Sequence, residues 1–322
     1  MDQWVRSLRG AKTRPSVDYP IAVSHESERR PGGGLVSSST VFLAGAECPF
    51  SCVFCDLWRQ TLDEATRQGS VPRQLQHALT AIDQRSLIKL YNASNFFDPM
   101  AVPIDDETAI LDLVAGFARV TVESHPRFVG ARCFSFAQRL GGTLEVAMGL
   151  ETACSDALAR LNKKMTLDDF DAAAAALREH EIAIRAFVLL GCPFVAAEEQ
   201  FEWVCRSVEY AVARGAGVVT VIPVRGGNGT LETLEAAGEW RPVNLEQVEA
   251  VGEWAARVST MDTVVQMDLW DLDRLGRCRA CIERRRARLD RLNRGDSRSV
   301  SIACSVCGSG VSRTSASAGR TP

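Results

Sequence analysis

The sequence predicts an α/β fold: a partial (β/α)6-like or near-complete TIM-type barrel with a small C-terminal extension of different texture. Three observations predict it. Short apolar, β-branched runs alternate with longer helical patterns between residues 36 and 270, the order that builds parallel sheets. Most of those runs are almost continuously apolar, as strands covered by helices are. No Gly-x-Gly-x-x-Gly follows the first run, so the sign of a doubly wound dinucleotide fold is missing.

Taken in order, residues 1–35 are polar, carry Pro15, Pro20 and Pro31, and close on Gly32, Gly33 and Gly34. They are expected to be an irregular lead-in ending in a flexible turn. Strands are predicted at 36–45, 87–92, 119–123, 144–150, 182–190, 218–224 and 264–269. A helix at 72–83 opens on Pro72, at a position where a missing N–H costs nothing. One at 106–117 opens on acidic residues, which suit the positive end of the helix dipole. One at 166–180 has Thr166 as its cap and an alanine run behind it. One at 196–214 stops at Gly215, and one at 245–258 follows Asn244, whose side chain accepts from the first free N–H groups. From Arg277 a basic helical pattern is flanked by two cysteine pairs, and a Ser/Gly/Thr-rich tail follows. The expected organisation is therefore a lead-in (1–35), a barrel core (36–270), a four-cysteine metal-binding extension (271–308) and a disordered tail (309–322).

Composition narrows the functional class. With 322 residues, 46% hydrophobic and 24% charged, the chain has enough apolar material for a substantial core. A net charge of −3 means that the molecule as a whole is no electrostatic nucleic-acid binder, so such a role must be local. No run approaches the roughly 18 apolar residues of a membrane span, and the N-terminus lacks an apolar signal core. The eleven cysteines are therefore expected to be cytoplasmic thiols and metal ligands, not disulfides.

The chemistry concentrates in Cys48-Pro-Phe-Ser-Cys52-Val-Phe-Cys55, directly after the first predicted core strand. Thiolates suit iron–sulfur clusters and zinc by their softness. A structural zinc site wants a fourth ligand close by, and no His or Cys follows Cys55 for a long way. Three thiolates on one loop instead hold three irons of a [4Fe–4S] cubane, leaving the fourth iron open to a small molecule. A zinc knuckle closed by a distant ligand is the alternative.

The C-x3-C-x2-C spacing, with aromatic Phe54 before the third cysteine, resembles the radical S-adenosylmethionine (radical SAM) superfamily. Further motifs resemble its elongator-catalytic-subunit-like branch, and within it the archaeosine-type lyase proteins that act on modified tRNA. They are Ile-Lys-Leu-Tyr-Asn-Ala-Ser-Asn-Phe-Phe-Asp-Pro at 88–99, Val-Glu-Ser-His-Pro-Arg at 122–127 and Leu-Glu-Val-Ala-Met-Gly-Leu-Glu-Thr at 144–152 with Leu-Asn-Lys at 161–163. Ile-Arg-Ala-Phe-Val-Leu-Leu at 184–190 and Val-Ile-Pro-Val at 221–224 with Asn-Gly-Thr at 228–230 complete them. The resemblance spans residues 36–240, and includes neither an acetyltransferase domain nor a small RNA-binding barrel.

What the resemblance implies is reductive cleavage of S-adenosylmethionine (SAM) at the cluster, giving a 5′-deoxyadenosyl radical that abstracts hydrogen from a substrate, a modified tRNA nucleoside. An electron donor such as flavodoxin or ferredoxin is implied as partner. Radical modification of a peptide or small metabolite is one alternative, and a non-catalytic metal-bound RNA-binding or regulatory protein is another. Arg185 is the candidate for the SAM carboxylate, or else an arginine held in an ion pair facing the outer helices. Glu151 is a candidate acceptor for the SAM ribose or amino group, or else one half of a salt bridge. Asn92 and Ser94 are candidates for the methionine moiety, Phe54 and Pro223 for the walls of the cofactor site. His125 either faces substrate or is a hydrogen-bonded structural histidine. Cys192, just past the fifth strand, is either a hydrogen-atom donor or a small buried thiol.

Cys278, Cys281, Cys304 and Cys307 form a C-x2-C-x22-C-x2-C pattern, a signal for one tetrahedral four-cysteine site. Zinc is expected, with a second Fe–S cluster as the alternative. Nine arginines lie between 277 and 298; they either form a solvated charged face or grip RNA phosphates.

Overall fold

Eight strands form one sheet in the order β1-β2-β3-β4-β5-β6-β7-β8. The computed structural model describes residues 1–82, 87–276, 278–296 and 298–308. The chain opens on α1 (Asp2–Ser7) and β1 (Ala22–Arg29), which runs antiparallel to β2 (Leu35–Phe42). Parallel units follow: α2 (Ser70–Leu79) and β3 (Leu87–Tyr91), α3 (Glu107–Val114) and β4 (Arg119–Glu123), α4 (Ala131–Arg139) and β5 (Thr143–Glu151). Then come α5 (Ser155–Arg160), α6 (Leu167–Glu179) and β6 (Ala183–Leu190), α7 (Gln200–Ala213) and β7 (Ala216–Pro223), α8 (Thr230–Ala236), α9 (Leu245–Val258) and β8 (Val264–Met267), and last α10 (Ile282–Asn293). The sheet runs from β1 to β8 without joining end to end among the described residues, so it is a partial barrel. No helix among the described residues is long and apolar enough to cross a membrane.

The expected lead-in needs correction. It contains β1, and Gly32, Gly33 and Gly34, with φ of 87°, 85° and 89°, make the left-handed turn that returns the chain into β2. The polar strand was hidden because it carries its buried side in charged residues. Helices α4, α5 and α8 were also unpredicted; α5 and α8 are too short for periodicity to register. Predicted tail residues 309–322, Arg277, and the end of the predicted 72–83 helix at Asp83 lie outside the described residues.

Side chains alternate along the strands with period two. Ile88, Leu90, Val120 and Val122 are fully buried under the helices, while Lys89, Tyr91, Thr121 and Glu123 occupy the intervening positions. Toward the amino ends of the strands these intervening positions hold a buried ionic layer. Arg185 pairs with Glu28 and lies 3.0 Å from Glu145, and Arg30 lies 2.9 Å from Glu28 and 2.5 Å from Glu145. Lys89 also pairs with Glu28, and Thr121 donates to Glu145 at 2.9 Å. Burial alone would raise the Glu145 carboxyl; the guanidiniums of Arg185 and Arg30 overcome it and hold the group down to about 2. The layer occupies the amino end of the barrel.

At the β8 edge the side chain of Asn293 stands in for a further strand. It accepts from the Met267 N–H at 2.9 Å and donates to the Met267 carbonyl at 2.8 Å. An open edge would otherwise present unpaired backbone groups.

Candidate active site

The loop carrying Cys48, Cys52 and Cys55 leaves the carboxyl end of β2. It has little regular structure, so its backbone groups need partners from outside. Side-chain amides from four parts of the chain supply them. Gln74 of α2 accepts from Ala44 N at 2.7 Å and donates to Ala44 O at 3.0 Å. Asn162, past α5, donates to Ser51 O at 2.7 Å. Asn228, past β7, donates to Val53 O at 2.8 Å and Cys55 O at 3.3 Å. Asn95, past β3, donates to the Cys48 sulfur at 3.4 Å and accepts from His125 N at 2.7 Å. The loop is thus held at the carboxyl ends of the strands, where barrel enzymes keep their chemistry. Desolvation pushes the Cys52 thiol up to about 12, and that of Cys48 upward as well; positive charge at the site would favour the thiolates.

Lys163 and Glu151 form a buried pair beside the loop, 2.5 Å apart. Burial works against the Lys163 ammonium, but Glu151, Cys52 and Cys48 outweigh it and raise its pKa. Glu151 closes β5 with φ at 67°. A Cβ on Gly149 would sit 2.0 Å from Glu151 Oε1 and 2.5 Å from Lys163 Nζ, so glycine there makes room for the pair. His125 stacks on Phe50 with ring centroids 4.1 Å apart. Its Nδ1 accepts from Arg127 N at 3.1 Å, which leaves Nε2–H to donate to Lys163 O at 3.0 Å. Burial, with Lys163 nearby, pushes the imidazole down to about 3. His125 is a neutral structural histidine that positions the chain at Lys163, the second of the two roles expected for it.

Glu123, at the end of β4, accepts from Asn92 N at 2.8 Å and Ala93 N at 3.0 Å, just past β3. Burial pushes its carboxyl up to about 7 despite those two bonds. The bend they fix presents Asn92, whose Oδ1 accepts from Ser94 N at 3.3 Å. Asn92 Nδ2 and Ser94 Oγ are buried and have no hydrogen-bond partner among the described residues. Buried polar groups without partners are rare, and here they lie on the strand end next to the cysteine loop. They fit a polar small molecule bound against that loop.

The other expected residues divide. Arg185 is corrected: it is 1% exposed and committed to Glu28 and Glu145. Glu145 lies six residues before Glu151 on β5, about 20 Å along the strand, so Arg185 serves the ionic layer and not the end that carries the cysteine loop. The ion-pair role is the one found, with partners inside the barrel instead of toward the outer helices. Cys192 is corrected too. It is 2% exposed, its thiol lies 3.6 Å from Pro193 O, and it packs in the core as a small buried thiol. Glu151 is one half of the salt bridge. Phe54 is partly buried against the core, and Pro223 ends β7, opposite Leu190. The sulfurs of Cys278, Cys281, Cys304 and Cys307 come within 4.8 Å of one another.

The amides Gln74, Asn95, Asn162 and Asn228 and the cation Lys163 were not singled out from the sequence. Asn95, Asn162, Lys163 and Asn228 stand inside quoted motifs, but Asn and Gln carry no spacing rule that marks a loop clamp. A cavity of about 640 Å3 opens at the amino ends of the strands, lined by Arg30, Arg119 and Glu145; it belongs to the ionic layer and is remote from the cysteines.

No family model matches the chain. An uncharacterized protein of Methanocaldococcus jannaschii is 19% identical over 253 residues, covering 74% of this chain and 69% of that protein. Methylornithine synthase superposes with a TM-score of 0.51 at 14% identity, over 80% of this chain and 70% of its own. Elp3 of Methanocaldococcus infernus with an N-terminal deletion aligns over 62% of this chain with a TM-score of 0.49 at 15% identity, and the chain spans 52% of its length. The likeness to methylornithine synthase shows the fold alone, a partial (β/α) barrel.

Proposed function

We propose that this chain, built on the radical SAM fold, is a radical SAM enzyme holding a [4Fe–4S] cluster on Cys48, Cys52 and Cys55 with SAM at the open iron. The observation that carries the reading is the meeting, at the carboxyl ends of the strands, of a three-cysteine loop and two buried polar groups without partners, Asn92 Nδ2 and Ser94 Oγ. When bound, the cluster and SAM supply one-electron cleavage of the sulfonium and a 5′-deoxyadenosyl radical. The chain's own residues bind and orient. Gln74, Asn95, Asn162 and Asn228 fix the loop before any cofactor arrives, Asn92 and Ser94 hold the methionine end, and Phe54 and the backbone at Pro223 wall the site. The Lys163–Glu151 pair keeps charge balanced beside the thiolates.

The substrate in this reading is a modified tRNA nucleoside, resting on the motif resemblance, with flavodoxin or ferredoxin as electron donor and the cytoplasm as the place of action. The alternative substrate is a small metabolite or peptide. Arg285 and Arg288 of α10 are 4% and 2% exposed and face Glu249 and Glu253, so these two are committed within the protein, while Arg284 and Arg291 of the same helix are exposed. The test is anaerobic reconstitution with iron and sulfide, then reduction in the presence of SAM. 5′-Deoxyadenosine should form, and should vanish when Cys48, Cys52 and Cys55 are all replaced by Ala; formation in that variant rejects the assignment. Mass spectrometry of tRNA nucleosides with and without the enzyme separates the two substrate classes.

A further inference from the structure

The four C-terminal cysteines stand apart from the cluster loop and from everything the proposed reaction uses. Cys278 and Cys304 have their sulfurs 3.8 Å apart, as do Cys281 and Cys307, and all four lie within 4.8 Å of one another. Disulfides would bring pairs of sulfurs to about 2.05 Å. Four thiolates around one tetrahedral ion, at metal–sulfur bonds of about 2.3 Å, stand about 3.8 Å apart by the geometry of the tetrahedron. The thiolates of a cubane cap four separate irons and are spread more widely. Among the described residues Cys48, Cys52 and Cys55 do not form a group this tight.

We infer that Cys278, Cys281, Cys304 and Cys307 bind a single zinc ion, which fastens α10 over the open β8 edge of the barrel. All four positions on the ion are taken by protein, so the site is structural and not catalytic. The first cysteine pair lies at the start of α10, with Cys281 at its N-cap position, and the second pair brings the chain back after the helix. Between them α10 is built to lie on α9. Leu289 and Leu292 are buried. A Cβ on Gly252 of α9 would meet Leu289 at 2.8 Å, so glycine sets the close approach. Arg285 pairs with Glu249, Arg288 lies 2.7 Å from Glu253, and Arg288 donates to Ser299 O at 3.1 Å on the returning segment. At its far end Asn293 caps Met267. So short a segment cannot hold itself in place by its own core, and metal ligation supplies that folding energy.

The experiment uses the full chain. Metal analysis of the variant lacking Cys48, Cys52 and Cys55 should give about one zinc per chain and almost no iron. Cobalt(II) supplied in place of zinc to the same variant should give the visible absorption of a tetrahedral tetrathiolate. Cys304→Ser should lose the metal and speed hydrogen exchange at the Met267 amide. Iron at this site, with cluster or mononuclear absorption, would overturn the zinc assignment. Four reactive thiols or two disulfides with no metal would overturn the site itself. Should Cys304→Ser fail to fold, the metal count and cobalt spectrum still decide.

Discussion

Lys163 Nζ lies 2.5 Å from Glu151 Oε1, and the two residues are 7% and 5% exposed beside the cysteine loop. A buried pair is weak evidence for stability in itself, but removing one partner strands the other. Lys163→Met should therefore destabilise the fold by about 3–5 kcal/mol. It should also lower cluster loading, because the ammonium that faces Cys52 and Cys48 is gone. Gly149→Ala should do similar damage by evicting the pair. Urea unfolding of the cluster-free chain and iron content after reconstitution measure the two effects; unchanged values in both variants would remove the pair from the site's framework.

Arg185 gives the opposite pattern. Arg185→Leu leaves Glu28 and Glu145 buried with fewer cations and should cost about 3–5 kcal/mol. Because the residue lies in the ionic layer, SAM affinity per cluster should match the unaltered protein. A folded, cluster-loaded variant that binds SAM many-fold more weakly would return Arg185 to the cofactor.

Asn92 separates binding from folding. Asn92→Asp keeps the acceptor that takes the Ser94 N–H but removes the Nδ2 donor, which has no partner among the described residues. SAM affinity should fall by about 1–3 kcal/mol, the range for a lost buried hydrogen bond, while cluster absorbance stays. Equilibrium binding of SAM to the reconstituted protein measures it, and an undiminished affinity would detach Asn92 from the cofactor.

The parallel core was legible because seven strands, β2 to β8, keep apolar runs and several helices advertise their caps. Thr166 and Asn244 both make capping boxes. The cysteine loop was legible because three thiols at C-x3-C-x2-C spacing directly after an apolar strand stand out in the sequence. What could not be read was long-range and polar. β1 is a strand whose Glu28 is buried only because Arg185, Arg30 and Lys89 come to meet it, and a local pattern cannot announce Lys89 and Arg185, both more than sixty residues away. Arg185 was misassigned for the same reason. A cation on a strand is the natural mate of a carboxylate ligand until the distant carboxylates of Glu28 and Glu145 are known. Arg285 and Arg288 of α10 could not be told from their exposed neighbours Arg284 and Arg291, because Glu249 and Glu253, which bury them, lie more than thirty residues away.

His125 sets a pH dependence. Its imidazole, ordinarily near 6.5, is pushed down to about 3 in the folded chain, by burial first and by the Lys163 charge second. As pH falls below about 6.5 the unfolded chain takes up a proton that the folded chain refuses. The stability contributed by the neutral ring is thus whole above about 6.5 and declines through the window down to about 3. The carboxylates of the ionic layer act in a lower window. Glu145, ordinarily near 4.5 and held at about 2, withdraws stability only as pH falls below 4.5. Between about pH 7 and 5 Glu123, raised to about 7 by burial, works against the histidine: the folded chain takes up that proton before the unfolded chain does, so its contribution to stability grows as pH falls. His125→Gln retains an amide that can donate toward Lys163 O but cannot titrate. From pH 7 to 5 the urea unfolding midpoint of the cluster-free variant should therefore rise relative to that of the unaltered chain, because the opposing histidine contribution is gone. Parallel slopes in the two would place the acid sensitivity elsewhere.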